Sequence, residues 1–391
     1  MKRSGVTSRR NLRHLQDTKM SGKNLEMRET AARICRDYLH GVWKRVTAEN
    51  ITLKRISGGL SNWLYNVQLP DGAVPIRGEP RQVLLRLYGQ VHGERALEGL
   101  ITESVIFTLL SERRLGPKLH GIFPGGRIEE YIPARPLLTK ELSDPTLSTM
   151  IGEKMGQIHM MQVPISKEPT WLWDTMAKWL ATATDILETV DEVDPRQHDN
   201  VYTLRSFDLE TEINWFRDLV ARGKYPVVFC HNDMQEGNIL LRQNSRKTEL
   251  VVIDFEYCSY NYRGFDIANH FIEWQYDYTE GNYPFFHERT GCGPTQEQKL
   301  NFIKSYLRTV QKESQTEEER IMMEIKIFSL ASHLFWGLWS IVNAKLSEIP
   351  FGYWDYAVCR LKNYQCLKEK FVMSEQSTLH DINRRKVTDT D

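Results

Sequence analysis

Apolar residues recur at helical spacing over Met27–Trp43, where Ala31, Ile34, Cys35, Tyr38, Leu39 and Val42 share a face, so an amphipathic helix is predicted to open the folded part of the chain. The period then changes to two. Ile51–Ile56 and Trp63–Leu69 read as strands, the second with Trp63, Tyr65, Val67 and Leu69 on one side. Val83–Tyr88 reads as a third strand, a helix over Leu97–Arg113 follows, and Leu119–Phe123 with Arg127–Ile132 flank the turn Pro124, Gly125, Gly126. From Thr139 onward the pattern is helical, with helices predicted near 146–161, 175–189, 208–222, 265–274, 296–311, 318–347 and 354–371. Between them lie three short apolar runs, Val227–Cys230, Ile239–Leu241 and Leu250–Ile253, that read as strands, while Asp191–Asn200 has no apolar period and reads as a solvent loop. The fold class is therefore α+β. A basic tail (1–24), expected to be disordered, precedes a small unit with a five-stranded antiparallel sheet and a helix (25–132); a mostly helical unit (133–371) and a polar tail (372–391) follow. Pro133 and Pro136 favour an extended connector at the boundary.

Composition narrows the partners. Lys plus Arg equal Asp plus Glu at 51 each, so no overall basic field argues for nucleic acid. The six cysteines have no C-x-x-C spacing, which suits reduced thiols better than a disulfide framework or a zinc site. No run approaches eighteen apolar residues, so no membrane span is predicted. The basic bias of residues 1–24 suits a solvated tail better than an organelle presequence, and the predicted location is cytoplasmic.

The candidate chemistry lies in residues 226–257, where Asp233 and Asn238 stand five apart after one strand and Asp254 follows another. Phosphoryl transfer from ATP needs such a set: one carboxylate at the acceptor hydroxyl, and an amide oxygen with a second carboxylate for a magnesium ion on the phosphates. The arrangement resembles the protein-kinase signature, with Asn232 in place of the Arg after the His, and Phe255 and Glu256 after the metal-binding Asp. HNDMQEGNIL followed by IDFEYCSYNYRGFDIANHF resembles more closely the choline/ethanolamine kinase family, and the likeness runs from about residue 30 to about residue 371.

The resemblance implies a bilobal protein-kinase-like fold, ATP and Mg2+ as cofactors, a homodimer, and phosphorylation of the choline hydroxyl to phosphocholine. Catalysis falls to Asp233 as base, with Asn238 and Asp254 on the metal and Glu256 supporting a second magnesium through water. Asp266 is expected to brace the catalytic loop. The phosphates are expected at Ser57, Gly58, Gly59, Leu60, Ser61 and Asn62, although a plain Gly-Gly turn would look the same. Arg86, a charge inside a strand, is expected on the phosphates and tethered by Glu103; a surface Arg lying along the sheet is the other reading. Backbone groups of Glu130 and Ile132 are expected at adenine.

For the acceptor, the resemblance places Tyr257, Tyr278, Trp336, Trp339 and Tyr356 around a trimethylammonium group, with Glu273 supplying negative charge and Gln235 beside them. Trp336 and Trp339, three apart on a helix, fit an ordinary core equally well. Ethanolamine and aminoglycosides are the alternative acceptors, and a catalytically inactive methylammonium-binding protein is the alternative of another class.

Overall fold

The computed structural model describes residues 25–56, 62–76, 78–88, 94–190, 194–244 and 247–388. The chain divides into two compact units, Met1–Pro133 and Ala134–Asp391.

The first unit opens with helix α1 (25–38), which ends five residues earlier than its apolar period predicts, because Gly41 takes a positive φ (59°) and starts a separate 3₁₀ turn, Gly41–Arg45. Strands β1 (Thr52–Ile56), β2 (Asn62–Gln68), β3 (Gln82–Tyr88), β4 (Leu119–Phe123) and β5 (Gly126–Glu130) form one antiparallel sheet in the order β1-β2-β3-β5-β4, and helix α2 (Glu94–Glu112) joins β3 to β4. The buried face of the sheet, with Val67, Val83, Leu85 and Ile128, packs with Ala31, Cys35 and Trp43 as one core.

In the second unit, β6 (Arg135–Pro136) pairs with β8 (Ile239–Asn244), which forms a hairpin with β9 (Lys247–Val252). Strand β7 (Val227–Cys230) instead pairs with β10 (Ser259–Tyr262), and β11 (Tyr276–Asp277) with β12 (His287–Glu288). The helices are α3 (Pro145–His159), α4 (Thr170–Thr189), α5 (His198–Arg205), α6 (Leu209–Ala221), α7 (Arg263–Glu273), α8 (Gln296–Thr309), α9 (Gln315–Leu346) and α10 (Tyr353–Thr388). Two of these depart from the sequence reading. Helix α5 occupies the end of the expected loop, and α10 continues through the expected polar tail because no Gly or Pro interrupts the chain after Tyr353.

Helix α9 is long and apolar enough to cross a membrane by composition alone, yet 83% of its most apolar stretch is buried, so it is a core helix. Helix α7 packs against it and is buried at every one of its eleven positions, polar ones included. Such a helix is stable only if its polar groups are paired. Arg263 accordingly binds Glu324 at 2.7 and 3.0 Å, while Asp266, Asn269, His270 and Glu273 are turned to the loops described next.

Candidate active site

The loop after β7 is held from below by α7. Asp266 accepts the backbone N–H groups of His231 (2.8 Å) and Asn232 (2.9 Å), and its Oδ2 also meets His159 Nε2 at 3.0 Å. Burial alone would raise the Asp266 pKa, but these donors outweigh it and keep the carboxyl below its ordinary value, so it is a fixed anion under the loop. His270 Nδ1 donates to Met234 O (2.8 Å), which pins the loop one residue beyond Asp233.

Asn232 has φ +68°, a left-handed conformation that Asn tolerates better than most residues. Its amide donates to Tyr257 O (2.8 Å) and accepts from Asn261 (2.8 Å). His231 donates from Nε2 to Ile253 O (3.0 Å) and accepts the Asp233 N–H at Nδ1 (3.2 Å), so it ties the loop to the strand end that carries Asp254. Burial lowers its pKa and keeps the ring neutral, as this bonding requires.

Asn238 donates to the backbone carbonyl (3.0 Å) and Oδ2 (2.8 Å) of Asp233. With its nitrogen committed to Asp233, the amide oxygen is the atom left for a cation. Asp254 sits at φ +64°, a strained backbone of the kind found where geometry serves function. Asp233 is fully buried, and burial, then the charges of Glu273, Asp254 and Glu256, push its pKa well above the ordinary carboxylate range. An amide oxygen and two carboxylates beside a third are a hard-donor set, which fits a divalent cation such as Mg2+.

An aromatic arc continues from this loop. Tyr257 meets Trp336 edge-on (ring centroids 5.5 Å apart), Trp336 meets Trp339 (5.6 Å), and Tyr353, Phe351 and Tyr356 follow at 5.8, 5.1 and 5.5 Å. Tyr278 closes the far end, its hydroxyl 2.7 Å from both Glu273 Oε2 and the Tyr356 hydroxyl. Trp336 is only 7% exposed and donates its indole N–H to Asn269 Oδ1 (2.8 Å), whereas Trp339 is half-buried. The two indoles therefore divide the readings between them: Trp336 is anchored in the core, and Trp339 keeps an accessible face.

Several expected site residues stand differently. Glu103 binds Arg127 (2.6 Å), and Glu129 accepts from both Arg127 (2.7 Å) and Arg86 (2.9 Å), so the tether expected from Glu103 to Arg86 runs through a buried Arg86–Glu129–Arg127–Glu103 chain. The reason is register: Arg86 and Arg127 are paired opposite each other on β3 and β5, and one carboxylate between two guanidiniums satisfies both. The backbone N–H of Glu130 donates to Lys118 O (2.7 Å), and Ile132 lies beyond the end of β5. Gln235 turns Oε1 onto the Gly237 N–H (2.6 Å), and the nitrogen that remains is a donor, of little use to an ammonium. The loop Ser57–Ser61 lies outside the described residues, and Asn62 begins β2.

Three contributors were not legible beforehand. Arg360 binds Glu273 Oε1 (3.0 Å), Asn269 orients Trp336, and Glu236 is buried with Oε1 on Thr139 (3.1 Å) and Oε2 without a hydrogen-bond partner among the described residues. Burial, then Glu273, raises the Glu236 pKa to about 8. Asn269 lies within the recognisable stretch RGFDIANHF, but nothing in the local pattern distinguishes Arg360 from any polar helix position.

Residues 53–365 match the choline/ethanolamine kinase family. The chain belongs to that family. A human choline/ethanolamine kinase is 47% identical over 338 residues, covering 84% of this chain and 83% of the relative, and mouse choline kinase alpha is 45% identical over 364 residues, covering 86% and 80%. Among solved structures, the choline kinase of Cryptosporidium parvum Iowa II superposes with a TM-score of 0.73 at 27% identity, over 89% of this chain and 97% of that one. The fold is protein-kinase-like, and the chain is a small-molecule kinase of this family.

Proposed function

We propose that the protein transfers the γ-phosphoryl group of ATP to the hydroxyl of choline, giving phosphocholine and ADP. The observation that carries the choice of choline is the aromatic arc from Tyr257 through Trp339 to Tyr278, which begins at the loop that holds Asp233. A quaternary ammonium offers no N–H donor and is attracted to ring faces, so an arc of seven rings suits it better than it suits a polycation such as an aminoglycoside. The homodimer implied by the resemblance and the cytoplasmic location read from composition belong to the same proposal.

Asp233 accepts the choline hydroxyl proton as the oxygen attacks phosphorus, and Asn238 holds the Asp233 carboxylate in the orientation this requires. Asn238, Asp254 and Glu256 would hold Mg2+, which when bound neutralises phosphate charge and lowers the barrier to in-line displacement. Arg86, fixed by Glu129, is assigned to the phosphates, as is the loop Ser57–Asn62.

Trp339→Leu tests the observation directly. Loss of a cage ring raises the choline KM about 5- to 30-fold, equivalent to roughly 1 to 2 kcal/mol of cation–π attraction, and leaves the ATP KM unchanged. A lower Tm with both KM values unmoved in the folded protein would make Trp339 a core residue and remove it from the site.

A further inference from the structure

Glu273, expected to offer its charge to the ammonium, already has a cation. Arg360 is fully buried and donates from one nitrogen to both Glu273 Oε1 (3.0 Å) and the Tyr356 hydroxyl (3.0 Å). Its guanidinium lies over the rings of Tyr276 (4.8 Å) and Tyr356 (5.4 Å), and its other terminal nitrogen donates to Ser332 Oγ (2.9 Å). Ser332 Oγ in turn donates to Asn269 Oδ1 (2.7 Å), the same oxygen that receives the Trp336 indole N–H.

The direction of every hydrogen bond in this ring is forced. A guanidinium only donates and a carboxylate only accepts. Tyr278 has one hydroxyl proton and places it on Glu273 Oε2 (2.7 Å), so Tyr356 must place its own on Tyr278 (2.7 Å), and Arg360 completes the circuit at Tyr356. Both phenol protons therefore point toward Glu273. Its charge is cancelled by a partner held on two rings and a serine, and both its oxygens already accept.

We propose that Arg360 is a positioning residue that sets acceptor specificity: by cancelling Glu273 and closing the ring through Tyr356 and Tyr278, it leaves the pocket suited to an alkylated ammonium and poor for a primary one. The inference rests on the reading of the arc as an amino-alcohol site. A primary ammonium must place three N–H donors once desolvated, and the strongest acceptor is already bridged by a buried guanidinium. A trimethylammonium group has no such requirement and needs only the ring faces.

The test uses the full chain and compares wild type, Arg360→Met, Glu273→Gln and the double variant, with choline and ethanolamine each varied at saturating magnesium-ATP. Arg360→Met frees the Glu273 charge and lowers the choline-to-ethanolamine ratio of kcat/KM by about 10-fold or more, with the ATP KM unmoved. Glu273→Gln leaves the guanidinium uncompensated and raises the choline KM by about 10-fold; adding Arg360→Met brings it back to within about 3-fold of wild type. If Arg360→Met does not fold, the comparison of Glu273→Gln with the double variant decides alone. A ratio unmoved in folded Arg360→Met, or a double variant no better than Glu273→Gln, overturns the role of Arg360 while wild-type activity stands. A wild type that phosphorylates neither amino alcohol overturns the amino-alcohol reading, and this inference with it.

Discussion

Asp233→Asn lowers turnover by about 10²-fold or more while leaving Tm and ATP binding near their wild-type values. The substitution keeps the shape and keeps a partner for Asn238, which donates to Asp233 Oδ2 at 2.8 Å, but removes the carboxylate proposed to take the hydroxyl proton. Fold and kinetics separate because the loop is held by Asp266, His231 and His270 through backbone groups rather than by the Asp233 side chain. The same carboxyl sets the acid limb of the pH profile. Burial, then the neighbouring charges of Glu273, Asp254 and Glu256, raise its pKa in the free enzyme, and a base must be deprotonated to act, so kcat/KM for choline falls as pH drops through a value above the ordinary carboxylate range. Bound cations favour the anion, which moves the limb of kcat to lower pH. Choline has no titrating ammonium to confuse the profile. Coincident limbs for kcat and kcat/KM, or a variant retaining most of its turnover, would remove Asp233 from the role of base.

Asp254→Asn lowers kcat/KM for ATP by about 10² or more, because several kcal/mol of phosphate-charge stabilisation depend on a metal ligand at this position. Asn is the better test than Ala, since residue 254 has φ +64° and Asn tolerates that backbone with less strain. Choline binding, measured by calorimetry without nucleotide, changes little, because the arc beginning at Tyr257 needs no metal. Unchanged ATP kinetics across a magnesium titration would withdraw the metal assignment.

Where a segment repeats one apolar period and is bounded by turn residues, its place in the fold was legible. Strands β1 to β5 and the long core helix α9 are of this kind. Strand β10 was not, because Ser-Tyr-Asn-Tyr is only four residues long, too short for its alternation to stand out, and is recognisable only by its pairing with β7. Helix α5 is eight residues long and begins His-Asp-Asn, too short and polar for a period to emerge. In the site, the spacing of Asp233, Asn238 and Asp254 pointed to the chemistry, since local sequence builds that loop. The partners of buried charges were not readable, because they are chosen across the fold: Arg127 lies opposite Arg86 through strand register, and Arg360 reaches Glu273 from a helix 87 positions away. Sequence shows that a charge exists, and packing decides which opposite charge it meets.

Choline as the acceptor at this site is open to a direct test. The most direct measurement is steady-state kinetics of the purified wild-type chain with choline and with ethanolamine at saturating magnesium-ATP, with the phosphorylated product identified by ³¹P NMR. Phosphocholine and ADP are expected in equal amounts, with kcat/KM for choline exceeding that for ethanolamine by about 10-fold or more. Equal or greater kcat/KM for ethanolamine, or ATP consumption that does not respond to choline, would contradict choline as the acceptor.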